Sequence, residues 1–270
     1  MKELEDADAV INLAGRSVNC RYGNKNRREI LDSRLNSVRA IRSAVQKTNN
    51  PPRVWLQAST ATIYAHRYDG ANDEFNGAIG GNEHNAPDAW RFSIEVAKDW
   101  ETAVHESNPL PSTRVVIMRS AMIMSPDKAG VFEQLLRLVR FGLGGRAGDG
   151  RQFVSWIHEI DFVRAIRFLI DTQNLAGAVN VCSPNPLPNS EFMQGLRRAW
   201  GTGTGLASSN WMLELGAFFM RTETELILKS RRVVPSRLLQ NGFTFQFPEW
   251  HDAANELCTR YRELKSSSGH

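Results

Sequence analysis

Small and hydrogen-bonding side chains follow two apolar runs of this sequence. Asn12, Ala14 and Gly15 stand at the end of the first run, and Ser59 and Thr60 end the second. Parallel α/β sheets bind ligands at the carboxyl ends of their strands, where small residues let a cofactor approach the backbone. The sequence therefore predicts a ligand site at these ends. The alternatives are an ordinary glycine turn and strand-end hydroxyls that bond to local backbone.

Four further residues follow or lie within predicted strands. Arg119 ends a β-branched strand, where its charge either contacts a phosphate or pairs with a carboxylate. Trp156 either stacks on a substrate ring or packs in the core. Gln152 is a second candidate for lining a substrate site. His158 is interpreted as an anchor for a loop rather than as a catalytic group.

The elements that position these residues alternate between strands and helices. Apolar residues recur at helical spacing in 27–47, 92–104 and 131–141, and buried strands are predicted at 9–13, 54–59 and 113–120. This alternation is typical of a parallel sheet with crossover helices. A polar stretch, 69–88, is too long for a simple connection, so it is expected to be functional or mobile.

The second part of the chain has a different pattern. Residues QFVSW and AVNVCS predict two more strands, with a helix at 160–171 between them. After Asn189 the chain becomes helical, with helices predicted up to Trp200, in WMLELGAFFM, in ELILKS, in PSRLLQNGF and at the end. We therefore divide the chain into residues 1–188, an α/β domain with the substrate-site segments, and residues 189–265, a small mainly helical domain.

Composition excludes several classes of protein. The chain has 270 residues, 41% hydrophobic and 23% charged, and its net charge of +4 is thinly spread, which argues against a nucleic-acid partner. No apolar run approaches the ~18 residues of a membrane span, and the acidic start has no signal-peptide pattern. The three cysteines fit no metal or disulfide spacing, so no metal site is expected and a reducing, cytoplasmic location is predicted.

Five stretches, in order, resemble the extended short-chain dehydrogenase/reductase superfamily. They are VINLAG, STATIY, WRFSIEVAKDWE, VIMRSAMIMSPD and GDGRQFVSWIHEIDFVRAI. The C-terminal stretch WMLELGAFFMRTETELILKSRRVVPSRLLQNGFTF resembles one branch, which is sugar-nucleotide-epimerase-like and carries a C-terminal domain of unknown function. The resemblance implies an α/β fold with a Rossmann-like parallel sheet and a small mainly helical C-terminal domain. It also implies NAD or NADP as cofactor and a small-molecule substrate.

The resemblance assigns roles to individual residues. Thr60 aligns with the residue that holds a substrate oxygen and is the catalytic candidate. Substrate contacts are expected from Tyr64, Phe92, Gln152 and Trp156. Cofactor contacts are expected from Asn12, Leu13, Ala14, Gly15, Arg34, Ser59, Arg119, Ser120, Ala121 and Met122.

The catalytic helix departs from the superfamily pattern. The superfamily uses a Tyr and a Lys four residues apart, because the ammonium lowers the pKa of the phenol. Phe92 and Val96 occupy these positions here, and neither can exchange a proton. A Tyr-x-x-x-Lys pattern does occur at Tyr261 and Lys265, but Tyr261 continues an apolar helical stripe and is expected in the core.

No dinucleotide phosphate loop is found. Two glycine-rich stretches, at 142–147 and 201–205, follow helices instead of strands, so neither fits the strand, glycine turn and helix order. The family pattern has two βα units and a strand, on the order of 60 residues, ahead of VINLAG. The chain is therefore expected to be N-terminally truncated, with this strand at a sheet edge, marginal stability or solubility, and weak or no dinucleotide binding.

Two functions follow from these residues. The first is an NAD(P)-dependent epimerase/dehydratase-like oxidoreductase, impaired as given, in which Thr60 orients a substrate oxygen. In that case the role of the missing tyrosine passes to water, to the substrate or to nothing. The alternative is a non-catalytic protein of the same fold that senses the cofactor or acts as a scaffold, and the substitutions at Phe92 and Val96 motivate it.

Overall fold

A four-stranded parallel sheet forms the centre of the α/β part, in the order β1-β2-β3-β7. The computed structural model describes residues 2–84, 86–106, 110–128, 130–207 and 229–267. The strands are β1 (Ala9–Asn12), β2 (Val54–Thr60), β3 (Arg114–Ser120), β4 (Met122–Met124), β5 (Phe153–Val154), β6 (Trp156–His158), β7 (Gly177–Val181) and β8 (Leu187–Pro188). The helices are α1 (Asn24–Gln46), α2 (Asp88–His105), α3 (Val131–Arg140), α4 (Glu159–Asp171), α5 (Asn189–Trp200), α6 (Ser236–Gln240) and α7 (Trp250–Ser267).

Strand β1 is an edge strand of the sheet, as expected. It pairs with β2 alone among the described strands, from Ala9 opposite Val54 to Asn12 opposite Gln57. Ile11 is 42% exposed, although its partner Leu56 in β2 is fully buried. One side of β1 therefore presents an apolar side chain and unpaired backbone to solvent.

Helices cover both faces of the sheet because successive strand side chains point to opposite sides. On one face, Trp55 and Ile117 pack with residues of α1 and α2, including Val38 and Trp100. On the other face, β2 and β3 pack against α4, with Leu169 among the buried residues. The strands are buried from both sides, which explains their continuous apolar runs.

The predicted strand QFVSW is two strands. Phe153–Val154 pairs antiparallel with β8, and Trp156–His158 pairs parallel with β4. Between them, the Ser155 hydroxyl donates to the carbonyl of Arg231 at 2.6 Å and accepts from the Val233 N–H at 2.9 Å. This side-chain bonding interrupts the ladder, so the single-strand prediction is wrong.

One apolar cluster joins the two predicted domains. Phe132 of α3 and Trp156 of β6 belong to the same buried cluster as Phe192 of α5 and Leu257 of α7. The division after residue 188 stays a prediction. The predicted helix in WMLELGAFFM, and most of that in ELILKS, lie outside the described residues.

All three cysteines carry free thiols. Burial raises the pKa of the Cys258 thiol to about 11 and raises that of Cys182 as well. Within the described part of the chain, no helix has the length and apolar character needed to cross a bilayer.

Candidate cofactor and substrate site

The Asn12 side chain fixes the turn that follows β1. Its amide nitrogen donates to Gln57 Oε1 at 2.8 Å and to Ser37 Oγ at 3.2 Å, and its Oδ1 accepts from the Ala14 N–H at 3.1 Å. The side chain is buried, so its amide group forms its hydrogen bonds within the protein. Asn12 therefore shapes the turn through its side chain, and its contact with a cofactor stays a prediction.

The next three residues form an open surface. Leu13 is 56% exposed, and Ala14 and Gly15 are exposed as well. A Cβ added to Gly15 would lie 3.3 Å from Arg34 Cζ, so the turn has a closely packed inner side. A ligand can approach the outer side of this turn closely, because it carries only backbone and short side chains there.

Arg34 supports the turn from below. Its guanidinium donates to the carbonyls of Arg16 and Ile30, at 3.1 and 3.0 Å, and lies 4.9 Å from the ring centroid of Trp100. Burial lowers the pKa of Arg34. Arg34 thus lies beside the predicted cofactor surface and is held there by neutral groups.

Arg119 pairs with Glu101 of α2. Its Nε donates to Glu101 Oε1 at 2.9 Å and its Nη2 to Oε2 at 2.7 Å, and both side chains are 13% exposed. Burial disfavours the charged form, but the Glu101 carboxylate outweighs it and raises the pKa of Arg119. The carboxylate alternative for Arg119 is confirmed, and its contact with a cofactor stays a prediction.

Glu101 also accepts from Ser59. The Ser59 hydroxyl donates to Glu101 Oε1 at 2.6 Å, and Ser59 is buried. The Ser59 hydroxyl is therefore bonded within the protein, and its contact with a cofactor stays a prediction. Sequence reasoning missed Glu101, although a signal existed. It lies at helical spacing between Ala97 and Val104, two buried residues, so a carboxylate on the buried face of α2 requires a partner.

Tyr64 belongs to the same network. Its hydroxyl donates to Asn180 Oδ1 at 2.9 Å and accepts from Arg119 Nη1 at 3.0 Å. Burial raises the pKa of Tyr64 despite the opposing charge of Arg119. The side chain is buried, and the contact between Tyr64 and a substrate stays a prediction.

Thr60 remains half-exposed at the end of β2. Its Oγ1 accepts from the Thr62 N–H at 3.1 Å and so caps the 3-10 turn Ala61–Ile63. This bond confirms the local-backbone interpretation for the oxygen and leaves the hydroxyl proton to donate elsewhere. Thr60 lies opposite Ser120, whose hydroxyl donates to the Ser59 carbonyl at 3.2 Å.

The predicted cofactor loop after β3 lies beside Thr60. Ala121 donates its N–H to the Val181 carbonyl at 3.1 Å, and Met122 begins β4 opposite Trp156. The residues of this loop are half-buried, so each keeps part of its surface accessible to solvent: Ser120, Ala121 and Met122.

Tyr22 packs against Phe92 of helix α2. Its ring centroid lies 5.0 Å from that of Phe92, and its hydroxyl is 3.5 Å from Ser93 Oγ. The Arg27 guanidinium lies 4.7 Å from the Phe92 centroid, and Val96 is buried. Phe92 therefore lies between the ring of Tyr22 and the guanidinium of Arg27. Tyr22 was missed because the loop before α1 has no periodic pattern.

Gln152 and Trp156 lie in the interior. Gln152 Nε2 donates to the Ala147 carbonyl at 2.9 Å, and both residues are buried. The Trp156 ring lies 5.0 Å from that of Trp250, within the cluster shared with α7. The packing alternative for Trp156 is confirmed, and the contacts of Gln152 and Trp156 with a substrate stay predictions.

His158 anchors helix α4. Its Nδ1 accepts from the Ile160 N–H at 3.1 Å, which caps the helix, and its Nε2 lies 2.8 Å from Glu256 Oε2. The side chain is fully buried. Its interpretation as an anchor is confirmed.

A short C-terminal segment completes the turn after Thr60. Lys229 Nζ donates to the Thr62 carbonyl at 2.7 Å, and Arg231 Nε donates to Thr62 Oγ1 at 3.2 Å. The Ser230 N–H donates to His66 Nδ1 at 2.8 Å. Burial, followed by the charge of Lys229, lowers the pKa of His66. Sequence reasoning treated these cations as dispersed surface charge and missed their convergence.

The long stretch 69–88 is anchored. The Asn72 N–H donates to the Arg232 carbonyl at 2.7 Å, and Glu74 accepts from the backbone N–H groups of Asn180 and Arg237 at 2.8 and 3.3 Å. Burial raises the pKa of Glu74. This part of the chain therefore covers β7 as a fixed connection.

The two glycine-rich stretches follow helices, as predicted. Gly142 comes after α3 with φ +74°, and Gly201 is the left-handed C-cap of α5 with φ +87°. Positive φ values of this kind end helices. Neither stretch connects a strand to a helix N-terminus, so neither forms a dinucleotide phosphate loop.

Comparison with known proteins establishes the family. The sequence pattern of the NAD dependent epimerase/dehydratase family matches residues 1–182, and a domain of unknown function, DUF1731, matches residues 209–257. The chain belongs to the NAD dependent epimerase/dehydratase family. This confirms the resemblance, including the C-terminal domain that distinguishes the branch, and with it the Rossmann-like α/β fold.

Relatives in distant organisms match nearly the whole chain. The human epimerase family protein SDR39U1 is 28% identical over 257 residues, covering 94% of this chain and 83% of that protein. The Mycobacterium tuberculosis epimerase family protein MT2273 is 31% identical over 258 residues, covering 95% and 80%. The expectation of a missing first portion stays a prediction.

A solved structure has the same fold. The crystal structure of human SDR39U1 (isoform 2) with NADPH superposes with a TM-score of 0.83, at 27% identity, and covers 95% of this chain and 83% of that chain. A dTDP-4-dehydrorhamnose reductase from Bacillus anthracis, in complex with NADP, superposes with a TM-score of 0.69 at 18% identity. The second likeness concerns the fold alone.

Proposed function

We propose that this protein is an NAD(P)-binding oxidoreductase of the epimerase/dehydratase type that acts on a small molecule. One observation carries the proposal. The open turn Leu13 to Gly15, the half-exposed Thr60 hydroxyl and the loop that starts at Ser120 follow three neighbouring strands, at the same edge of the sheet. Doubly wound sheets bind cofactors at such edges. NADPH in the human relative supports the same assignment.

The open turn fits a dinucleotide on its outer side. Ala14 and Gly15 allow close approach, and Arg34 supports them from within. Ser120, Ala121 and Met122 border the position expected for the nicotinamide. When bound, the cofactor supplies a hydride donor or acceptor. The Glu101–Arg119 pair keeps the ends of β2 and β3 in place beside it.

Thr60 orients a substrate oxygen in this proposal. Its oxygen already accepts from Thr62, so its hydroxyl proton is the group that it offers. Phe92 and Val96 carry no titratable group, and proton transfer falls to water or to the substrate. General acid-base catalysis contributes about 10²- to 10⁴-fold, so we expect slow turnover.

Dinucleotide binding is proposed to be weak. Among the described residues, no Gly-x-Gly turn connects a strand to a helix N-terminus, and such a turn normally holds the pyrophosphate. We therefore expect NADPH to raise the melting temperature at millimolar and not at micromolar concentration. Micromolar affinity would overturn the weak-binding proposal. No shift at any concentration would overturn the cofactor assignment.

Two glycine variants locate the binding surface. Gly15→Val puts a branched side chain against Arg34 on the inner side of the turn and displaces the turn, and we expect the NADPH-dependent shift to disappear. Gly23→Ala is the matched control, because a Cβ there has no neighbour within 4 Å. Equal loss of the shift in both variants would argue against binding at the turn.

A non-catalytic role is the second candidate, and Phe92 and Val96 favour it because they remove the proton-transfer pair. In this case the protein senses the cofactor or acts as a scaffold. Thr60→Val would then leave partner binding unchanged, and a metabolite screen would find no substrate. Cofactor-dependent conversion of any metabolite that is lost in Thr60→Val supports the enzyme instead.

The organisation and location of the chain are also proposals. A division after residue 188 is supported by the two family matches, which cover residues 1–182 and 209–257. The three free thiols fit a reducing compartment, and we propose the cytoplasm.

A further inference from the structure

A cavity lies between helices α3 and α7. We name it the α3–α7 groove. Its volume is about 360 Å³, near the lower end of small-ligand sites, which span roughly 300 to 1,000 Å³. The residues that line it and matter here are Glu133, Arg137, Arg140, Phe141, Tyr261 and Lys265. None of them belongs to the cofactor and substrate site.

Two arginines of the groove lack acidic partners. Arg137 and Arg140 lie three residues apart on the last turn of α3, so they share a face. Throughout the described ranges, no carboxylate lies within ion-pair distance of either guanidinium. Arg137 Cζ lies 5.9 Å from the Phe141 ring centroid, and Arg140 Cζ lies 5.6 Å from that of Trp200. Aromatic rings therefore flank both cations, and neither guanidinium forms an ion pair with a carboxylate of the described residues.

The remaining charges of the groove neutralise each other. Lys265 Nζ lies 3.7 Å from Glu133 Oε1, and the Tyr261 hydroxyl donates to the same oxygen at 3.3 Å. Arg140 Nη1 donates to the Tyr261 oxygen at 3.4 Å. With three cations and one carboxylate, the lining has a net charge of +2. The Tyr-x-x-x-Lys pattern thus contributes to the wall of this groove, and the Tyr261 ring lies in the core as predicted.

Phe141 adds a flat apolar surface beside the arginines. Its side chain is 70% exposed, directly after the last turn of α3. Guanidinium groups bind phosphate oxygens in pairs, and exposed aromatic rings stack on nucleobases. We propose that the α3–α7 groove binds a mononucleotide, with its phosphate between Arg137 and Arg140 and its base on Phe141. This proposal does not rest on the function proposed above.

Calorimetry of the full chain with AMP, inorganic phosphate and adenosine tests the proposal. We expect AMP to bind about fivefold or more tightly than either part alone, because the phosphate and the base each have a contact. Inorganic phosphate binding as tightly as AMP would overturn the role of Phe141. No AMP binding would overturn the site.

Two double variants with the same loss of charge distinguish AMP binding in the groove from nonspecific electrostatic attraction of AMP to the protein. Arg137→Gln with Arg140→Gln is expected to weaken AMP binding about tenfold or more. Arg167→Gln with Arg198→Gln removes two exposed arginines elsewhere and is expected to leave the affinity unchanged. Equal losses in both would overturn the proposal.

Phe141→Ala and Gly15→Val complete the test. Phe141→Ala is expected to weaken AMP binding about fivefold and to leave phosphate binding unchanged. Gly15→Val should still bind AMP, whereas loss of binding there would place AMP at the strand ends and overturn the groove. If circular dichroism shows the first double variant to be unfolded, the exposed Arg137→Gln alone carries the test.

Discussion

The end of β1 and the ends of β2 and β3 lie at the same edge of one sheet, yet they are built differently. After β1 the chain presents exposed backbone and short side chains. The buried Asn12 side chain at the end of this strand uses its amide in hydrogen bonds with Gln57 and with the Ala14 N–H. After β2 and β3, a carboxylate, a guanidinium and two hydroxyls bond to one another in the interior.

This difference teaches which strand ends are free to bind a ligand. A charge that is already paired by two short hydrogen bonds has little left to offer a phosphate, because breaking the pair exposes a buried carboxylate. The open turn has no such bonds to break. The proposed ligand contacts are therefore those of the open turn and of Thr60, beside the charged network.

We call the bonded groups at the ends of β2 and β3 the closed side, and the turn after β1 the open side. Glu101→Gln removes the carboxylate that the groups of the closed side share, and it should have the largest effect on stability. It leaves the Arg119 charge mostly buried without its partner, so we expect the free energy of unfolding to fall by about 3 kcal/mol. Urea denaturation measures the loss. Glu106→Gln on the same helix is the control, since its pair with Arg39 is exposed and its loss should not be measurable. Similar losses in the two variants would contradict the contrast.

Asn12→Ala tests the open side, and we expect a smaller loss of about 2 kcal/mol. The variant leaves the buried Gln57 oxygen and the Ala14 N–H without their amide partner. Asn19→Ala, in the following loop, is the control, because its side chain is exposed. A loss in Asn12→Ala as large as that in Glu101→Gln would remove the distinction between the two sides.

His66, in the segment that follows β2, should make the stability of the folded protein depend on pH. Its pKa in the folded protein lies below the ordinary value of 6.5, so the folded state favours the neutral ring, which accepts from the Ser230 N–H. The resulting stability is complete above the unfolded pKa and is lost as the pH falls through the folded pKa. Melting temperatures between pH 8 and 5 should therefore fall less in His66→Gln than in wild type. His84→Gln, an exposed control, should behave like wild type.

Ile11→Lys sharpens the contrast at the edge strand, with the smallest expected effect on stability. Ile11 is exposed on β1, so the free energy of unfolding should change by no more than about 0.5 kcal/mol. A charge on an edge strand opposes pairing with other chains, so light scattering on heating should begin at a higher temperature. An unchanged onset would mean that aggregation does not start at β1.

The sequence predicted the elements around the candidate site well, but not the partners of its polar groups. Apolar periodicity located β2, β3 and α2 to within a few residues, because burial repeats along the chain. It could not show that Arg119 meets Glu101 or that Lys229 meets Thr62, since such pairs depend on how distant elements pack. The sequence allowed two interpretations of Trp156, stacking on a substrate ring or packing in the core. Only its neighbours in the fold decide between them.

The contact between Lys229 and the Thr62 carbonyl spans 167 positions of the chain. During synthesis, the turn that follows Thr60 leaves the ribosome long before the segment that completes it. The sheet can assemble as its strands emerge, whereas the edge that carries Thr60 reaches its final form only when most of the chain has been made. Formation of the candidate site therefore depends on synthesis of the segment that contains Lys229.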